Sequence, residues 1–256
     1  MPIEITHDGP VATVTINRPE KKNAITLEMR EMFAKAFEGL AEHNTTRAVI
    51  LTGSGGSFCA GMDVGEMGAH DITFSLTKIR RLHRIVRSIM NLRKPVIAAV
   101  DGHCVGAGWS FALACDLILA SDTAKFAQIF GNIGLVPDAG AVWLLNQQIG
   151  TMRAKELVYS GRLLGAEEAV SLGLALETVP SGDLLDRARV LAQSLASRPP
   201  LAIGMAKRQF TLAQTTGFDS FLEAETAMQP LMSQTADHKE GVSAFREGRP
   251  PDFTGT

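Results

Sequence analysis

The sequence predicts an α/β core followed by an appendage made of helices alone. Strand-like apolar runs alternate with helical patterns over most of the chain, and only helical patterns follow from residue 183 onward. The length of 256 residues allows one large domain with an appendage. We place the core at residues 1–197 and the helical region at residues 198–256, because Arg198-Pro199-Pro200 interrupts the helical pattern there.

Composition and charge are those of an ordinary globular protein. Apolar residues make up 45% of the chain and charged residues 20%. The net charge of −2 provides no basic face for nucleic acid or for an anionic membrane, and no apolar run reaches membrane-spanning length. We therefore expect no nucleic-acid partner and no membrane partner. The six histidines and three cysteines show no metal-ligand spacing, so no metal site is predicted.

The cysteines and the N-terminus favour a cytoplasmic location. Cys59, Cys104 and Cys115 are odd in number and lie inside apolar runs, which is typical of buried, reduced thiols. The N-terminus begins with a strand pattern, and Glu4 and Asp8 argue against a signal or transit peptide.

The first elements alternate between strands and helices. Asp8-Gly9-Pro10 favours a tight turn between strands at residues 3–7 and 11–16. Thr26 is a suitable N-cap for a helix that runs to about residue 43. The apolar run at residues 47–52 indicates a buried strand.

A long amphipathic helix is predicted over residues 72–92, and Pro95 ends it. One face is an apolar stripe, and the opposite face is basic. A basic face of this kind is most often a solvated surface. Its members are Lys78, Arg80, Arg81, Arg84 and Arg87.

A small-residue turn lies between two further strands at residues 95–100 and 117–120. Gly106-Ala107-Gly108 opens onto a short apolar helix at residues 109–115. Backbone N–H groups at such a turn point at a ligand, with the positive end of the helix dipole behind them. The turn therefore suits an anion, or an oxyanion that exists only during a reaction.

The remaining chain is predicted to be mainly helical. Short strands are expected at residues 125–128 and 176–179, and Asp138 has the position of an N-cap. Helices are expected at residues 139–148, 152–159, 166–172, 183–197, 201–214, 218–232 and 238–247. So small a helical extension cannot bury its own apolar residues, which we expect to pack on the core or on another subunit. They are Phe218, Leu222, Ala227, Leu231 and Phe245.

A second small-residue turn, Ala60-Gly61-Met62, follows the strand at residues 47–52. The glycines at residues 53–56 can also form a flexible surface turn, and no Gly-Lys-Ser/Thr follows, so this is not a P-loop. If the strands at residues 47–52 and 95–100 are neighbours, both turns lie at one sheet edge. One N–H from each turn can then bind a single oxyanion.

Several segments resemble the enoyl-CoA hydratase/isomerase (crotonase) superfamily. The two signature segments are residues 58–63 (FCAGMD) and 100–108 (VDGHCVGAG). The resemblance implies a crotonase-like α/β superhelix of repeated ββα units with a C-terminal helical trimerisation region. It also implies a substrate bound as a coenzyme A thioester, with no separate cofactor, and a homotrimer or dimer of trimers. Further matches are Asn17-Arg18-Pro19, Asn23-Ala24-Ile25, Cys115-Asp116, Gly134-Leu135-Val136-Pro137 and residues 240–245.

The resemblance also assigns residues to the site. It implies that the backbone N–H groups of Met62 and Ala107 form the oxyanion hole. The family's middle glycine is Ala107 here, which keeps the N–H but adds a methyl group. Lys22 is a possible partner of a CoA phosphate, although it is equally an exposed loop lysine. The implied contacts with the CoA moiety lie at Lys22, Ala24, Ile25, Ala60, Gly61, Asp63 and Val64.

The two glutamates of the family's hydratases are absent. Their positions are occupied by Ser110 and Phe130, although hydration needs both a general base and a general acid. No histidine is placed to activate Ser110 as a nucleophile, so we interpret it as a helix-interior serine. Phe130 is expected to shape an apolar acyl pocket with Trp143, Leu135 and Met67.

Asp138 is the acidic residue that remains in the matching segments. It is either a helix N-cap or an acid/base group. The resemblance favours the second role, because family isomerases acting on dienoyl-CoA or on ring-epoxide and oxepin-type CoA esters of phenylacetate breakdown carry an aspartate there. The run at residues 126–145 is most similar to the latter type. An apolar environment from Phe130, Leu135 and Trp143 should raise the pKa of Asp138 and exclude water.

The sequence therefore predicts an acyl-CoA double-bond isomerase with Asp138 as acid/base. One alternative is an enoyl-CoA hydratase-like protein with divergent acid/base residues. Another is a catalytically silent CoA-thioester-binding protein, which needs the two N–H groups but not Asp138. At the C-terminus Arg246 and Arg249 stand where family members often carry lysines, and Arg249 is a candidate contact for CoA phosphates.

Overall fold

The computed structural model describes residues 1–68 and 71–256. Within them the chain forms two sheets, of six strands in the order β1-β2-β3-β4-β6-β9 and of three strands in the order β5-β7-β8. In the larger sheet β1 is antiparallel to β2, and all other neighbours are parallel. The strands are β1 (Ile3–Asp8), β2 (Val11–Ile16), β3 (Ala48–Gly53), β4 (Val96–Val100), β5 (His103–Val105), β6 (Leu117–Ser121), β7 (Lys125–Ala127), β8 (Leu164–Gly165) and β9 (Glu177–Val179).

The helices of the described residues lie close to their predicted positions. In α4 the backbone leaves helical geometry at Gly150, so the helices predicted at residues 139–148 and 152–159 form but are joined end to end. The helices are α1 (Leu27–Glu42), α2 (Ile72–Met90), α3 (Ala107–Leu113), α4 (Ala141–Ser160), α5 (Ala166–Ser171), α6 (Leu184–Ala196), α7 (Pro200–Ala213), α8 (Phe218–Ser233) and α9 (Ala236–Glu247).

The crossovers place β3 and β4 side by side. α1 connects β2 to β3, α2 connects β3 to β4, and each pair of strands is parallel. Val49 is paired with Val96, and Thr52 with Ala99. The neighbour relationship that the site hypothesis requires is therefore confirmed.

The core lies on both faces of the larger sheet. On one face α1, α2 and α3 bury large side chains such as Phe33, Phe37 and Trp109. On the other face α6 packs against the strands through Ala188 and Ala192. By these contacts α6 belongs to the core, and the domain boundary at residue 197 stays a prediction.

The amphipathic helix α2 is only half covered. Its second half is buried through Leu82, Ile85 and Ile89, whereas Ile72 and Leu76 in its first half are exposed. Its basic face is also more than a solvated surface, because Arg84 binds Glu31 and Glu38 of α1 at 2.8 and 2.6 Å. These ion pairs cross-link α1 and α2.

The C-terminal helices form a layer of their own. α7 packs on α8 and α8 on α9, and the Asp237 carboxylate accepts the N–H groups of Thr254 and Gly255, which fixes the end of the chain. No helix in the described part of the chain is long and apolar enough to cross a membrane. Large apolar side chains nevertheless remain exposed on this layer: Phe210, Phe218, Leu231 and Phe245.

Candidate active site

The two loops predicted to bind CoA lie side by side. The N–H of Ile25 donates to the carbonyl of Gly61 at 2.8 Å, and the N–H of Asp63 donates to the carbonyl of Ile25 at 3.0 Å. The N–H of Ala60 donates to the carbonyl of Lys22 at 2.9 Å. Backbone hydrogen bonds thus join the loop that leads into α1 to the turn that follows β3.

An ion pair that sequence reasoning missed locks these loops together. Arg18 pairs with the Asp63 carboxylate and donates to the carbonyl of Ala24 at 3.1 Å. The Arg18 guanidinium, and then the N–H of Gly65, hold the pKa of Asp63 below its usual range. The Asp63 side chain is therefore a structural anion. Arg18 and Asp63 both lie in family-like segments, which is the one signal that could have paired them.

The turns after β3 and before α3 are in contact. The N–H of Cys59 donates to the carbonyl of His103 at 2.9 Å, and the N–H of Val105 donates to the carbonyl of Cys59 at 3.0 Å. Gly61 has a φ of +92°, and a methyl group built on it would lie 3.6 Å from the nitrogen of Ala107. The same methyl group would lie only 3.1 Å from the carbonyl oxygen of Val105, so the positive φ and this close approach together favour glycine.

The two predicted oxyanion donors have free N–H groups. Ile25 is bonded to the residues on either side of Met62, because its N–H donates to the carbonyl of Gly61 and its carbonyl accepts the N–H of Asp63. The N–H of Met62 itself donates to no acceptor within residues 1–68 and 71–256. Ala107 is the first residue of α3, so its N–H has no acceptor within the helix and bonds to no other described segment. Both donors thus lie on adjacent turns and are available to a ligand.

Phe130 and Ser110 stand where the family resemblance places the two hydratase glutamates, and the structure shows what each side chain contacts. Phe130 is 7% exposed, and its ring lies 3.8 Å from a methyl group built on Gly106, so the ring covers the turn before Ala107. Ser110 is fully buried, and its hydroxyl donates to the backbone carbonyl of Asp138 at 3.3 Å. The serine predicted to be a plain helix-interior residue therefore also holds the Asp138 segment against α3.

The N-cap interpretation of Asp138 is wrong. α4 begins at Ala141, and its N-cap is Gly140, which makes no side-chain cap bond. Ala139 and Gly140 have φ values of +52° and +78°. This left-handed turn separates Asp138 from the start of the helix, so Gly140 rather than Asp138 is the N-cap. A non-glycine residue at positive φ is strained, and such strain concentrates at functional sites.

The Asp138 side chain is half-buried, and one oxygen of its carboxyl is fully buried. Its Oδ1 has no partner among the described residues. Burial raises the pKa of Asp138 from 3.8 to about 6, and the positive charge of Arg30 opposes the rise. The predicted direction of this pKa shift is confirmed. An acid with a pKa near neutrality can both accept and return a proton.

Arg30 is a buried charge near this site that sequence reasoning missed. It lies on α1 and is 4% exposed. Arg30, Ala34 and Phe37 follow the helical period, and all three are buried. This spacing is the signal that could have found it.

The cavity that Trp143 lines does not include Phe130 among its lining residues. This cavity lies between α4 and α7 and is also lined by Cys115 and Phe210. Leu135 and Met67, the other expected pocket residues, are largely exposed. The roles of these three residues in an acyl pocket stay predictions.

The cations proposed for CoA phosphates differ in their surroundings. Lys22 is exposed, and its Nζ lies 3.4 Å from Nε2 of His103. Arg249 is engaged within the tail, where it binds Glu240 at 2.6 Å and Glu247 at 2.7 Å. Val64 is exposed at the rim of the CoA loops. Phosphate binding by either cation stays a prediction.

This part of the α/β fold therefore combines two backbone N–H groups on adjacent turns, without acceptors among the described residues, with the half-buried carboxyl of Asp138. The sequence pattern of the enoyl-CoA hydratase/isomerase family matches residues 6–256. The chain belongs to this family and is an enzyme of it.

Relatives and solved structures agree on the family and the crotonase fold. The 1,2-epoxyphenylacetyl-CoA isomerase of Escherichia coli K12 is 38% identical over 251 residues, covering 96% of this chain and 95% of the relative. The 2,3-dehydroadipyl-CoA hydratase of the same organism is 32% identical over 251 residues, covering 98% of this chain and 98% of the relative. The crystal structure of an enoyl-CoA hydratase from Bacillus anthracis superimposes with a TM-score of 0.96 at 31% identity, with both chains covered completely.

Proposed function

We propose that this protein is an acyl-CoA double-bond isomerase that uses Asp138 as its acid/base. The observation that carries the proposal is the half-buried Asp138 carboxyl, whose buried Oδ1 has no hydrogen-bond partner among the described residues and whose pKa is raised to about 6. The serine and phenylalanine at the two glutamate positions also support it, because a double-bond shift needs one carboxylate rather than two.

The proposed reaction moves one proton within an allylic thioester. Asp138 accepts the proton from C2 of a 3-enoyl-CoA, and the C–H electron pair delocalises into a dienolate. The N–H groups of Met62 and Ala107 stabilise the negative charge on the thioester oxygen. Asp138 then returns the proton to C4, which leaves the conjugated 2-enoyl-CoA. The balance needs no water and no cofactor beyond the CoA of the substrate.

The substrate, assembly and location belong to the same proposal. The acyl-CoA thioester would lie along the loops at residues 22–25 and 60–64, with Phe130 against the acyl group. We propose a homotrimer or dimer of trimers, which the exposed apolar residues of α7–α9 support. We further propose a cytoplasmic enzyme with no nucleic-acid or membrane partner.

The test replaces the proton carrier alone. Asp138→Asn should lower the turnover of 3-hexenoyl-CoA to 2-hexenoyl-CoA by a factor of about 10² or more. Binding of the saturated ester hexanoyl-CoA, measured by titration calorimetry, should persist and would show that the variant is folded. Isomerisation at the wild-type rate by Asp138→Asn would overturn the assignment.

The hydratase relative keeps a second candidate function open. The E. coli 2,3-dehydroadipyl-CoA hydratase is similar over nearly the whole chain. Hydration of crotonyl-CoA at an ordinary enzymatic rate, without isomerisation of 3-hexenoyl-CoA, would favour an enoyl-CoA hydratase. Binding of CoA esters with no turnover on either substrate would favour a silent thioester-binding protein.

A further inference from the structure

Arg30 holds a buried hydrogen-bond donor that no atom of residues 1–68 and 71–256 satisfies. The residue is 4% exposed, and its Nη1 donates to the carbonyl of Lys78 at 3.2 Å. Its Nε–H is buried and has no partner among the described residues. Most buried polar groups in folded proteins are paired, so an orphaned donor on a charged side chain needs an explanation. A ligand atom that reaches this position can supply the missing acceptor.

The start of α1 brings Arg30 to the site. Ile25, just before this helix, is bonded to the turn that carries Met62. Glu66, four residues beyond Met62, accepts the N–H of Leu27 at 2.6 Å and so ties the first residue of α1 to the same loop. Arg30 follows in the first turn of α1. The Met62 turn therefore anchors the helix end from which Arg30 projects.

Asp138 is anchored to the other oxyanion turn in the same way. Its backbone carbonyl accepts the hydroxyl of Ser110 on α3, the helix that begins at Ala107. Arg30 and Asp138 are close enough for each charge to influence the pKa of the other. Yet no ion pair joins them, and each keeps one buried atom without a partner in the described part of the chain. Two opposite charges held near each other but unpaired favour a ligand that satisfies both.

We propose that the Nε–H of Arg30 binds an oxygen carried by the acyl group of the CoA ester. In this arrangement Asp138 faces the carbons that exchange the proton, and Arg30 selects acyl groups with a hydroxyl or carboxylate oxygen beyond the thioester. The inference deepens the proposed function, because it names the substrate class of the same site.

The surrounding charges favour a carboxylate as the strongest acceptor. Arg81 repels the Arg30 guanidinium, whereas Asp138 and Glu66 attract it. When Asp138 takes up a proton, one of the two attracting charges is lost. A carboxylate oxygen would compensate for this loss and would form a charge-assisted hydrogen bond.

The test measures binding rather than turnover. Titration calorimetry compares four saturated esters on the wild-type enzyme: hexanoyl-CoA, 5-hydroxyhexanoyl-CoA, 6-hydroxyhexanoyl-CoA and adipoyl-CoA. The first has no acyl oxygen beyond the thioester, and the last has a free carboxylate. We expect at least one oxygenated ester to bind at least tenfold more tightly than hexanoyl-CoA. Adipoyl-CoA should have the highest affinity of the four. Equal affinities for all four esters would overturn the proposal.

Variants separate recognition from a merely structural role. Arg30→Met keeps the length of the side chain and should abolish the preference while changing hexanoyl-CoA affinity by less than threefold. Arg30→Lys should restore part of the preference for adipoyl-CoA alone, because an ammonium keeps the charge but not the Nε–H. Arg84→Met, on the exposed ion pair between α1 and α2, is the control and should keep the preference.

Two outcomes would count against recognition by Arg30. One is an equal loss of affinity for all four esters in Arg30→Met, and the other is a preference that survives in that variant. The proposed reaction fails independently. A clear binding preference without any isomerisation of 3-hexenoyl-CoA would reject the isomerase and retain the assignment of Arg30.

Discussion

At the scale of single residues, the ionised form of Asp138 works against the stability of the fold. Burial raises its pKa from 3.8 to about 6, so the folded chain holds this proton more tightly than the unfolded chain does. Stability therefore falls as pH rises from about 4 to 6 and stays low above that range. A shift of this size corresponds to about 3 kcal/mol between the two protonation states.

Asp138→Asn should consequently be more stable than the wild type at pH 8. The amide has no charge to bury, so the advantage should shrink by about 1 kcal/mol between pH 8 and pH 5. Urea unfolding at the two pH values measures it. Asp219→Asn, which removes an exposed carboxylate from α8, is the matched control. An advantage of the same size at both pH values would show that the charge of Asp138 is not its cause.

The residues that sequence reasoning misjudged share a physical reason. Ala139 and Gly140 carry the chain through a left-handed turn that no periodic pattern encodes, so Asp138 was expected one position before a helix that starts later. Arg18 and Asp63 lie far apart in the chain, and only the fold brings their charges together. Pairing over such distances leaves no trace in local spacing.

At the scale of elements, the first residue of α3 offers a clean test of the oxyanion hole. Proline is well tolerated at the first position of a helix and lacks an N–H. Ala107→Pro should therefore remove one proposed donor and lower kcat roughly 10²- to 10³-fold on 3-hexenoyl-CoA. The urea midpoint should change little.

Ala107→Gly is the matched control for that variant. It keeps the N–H and removes only the methyl group, so we expect a kcat within about threefold of the wild type. Equal losses in both variants would mean that the methyl group, and not the N–H, matters at this position.

The elements were more predictable from the sequence than the contacts between them. Strands β3 and β4 were recognisable because they are short runs dominated by apolar residues. Helix α1 was recognisable because Thr26 caps it by accepting the N–H of Met29. β5 and β8 have three and two residues, which is too short for any pattern to emerge. β5 nevertheless matters most here, because it joins the two turns of the site.

At the scale of the whole molecule, a single protomer leaves large apolar side chains of the C-terminal layer exposed. Phe210 on α7 and Phe245 on α9 are 75% and 89% exposed. The sequence predicted that this extension cannot bury its own apolar residues, and the exposed side chains agree with that part of the expectation. Large apolar side chains gathered on one layer typically mark an interface.

Self-association through α7–α9 can be tested directly. Sedimentation velocity at micromolar concentration should give the mass of three or six chains of 27.4 kDa. Phe218→Glu combined with Phe245→Glu should dissociate the assembly, because a buried interface does not tolerate unpaired carboxylates. Val190→Glu, which alters an exposed apolar residue of α6 outside this layer, should leave the mass unchanged. A monomeric wild type, or equal dissociation by the control, would contradict an interface built from these helices.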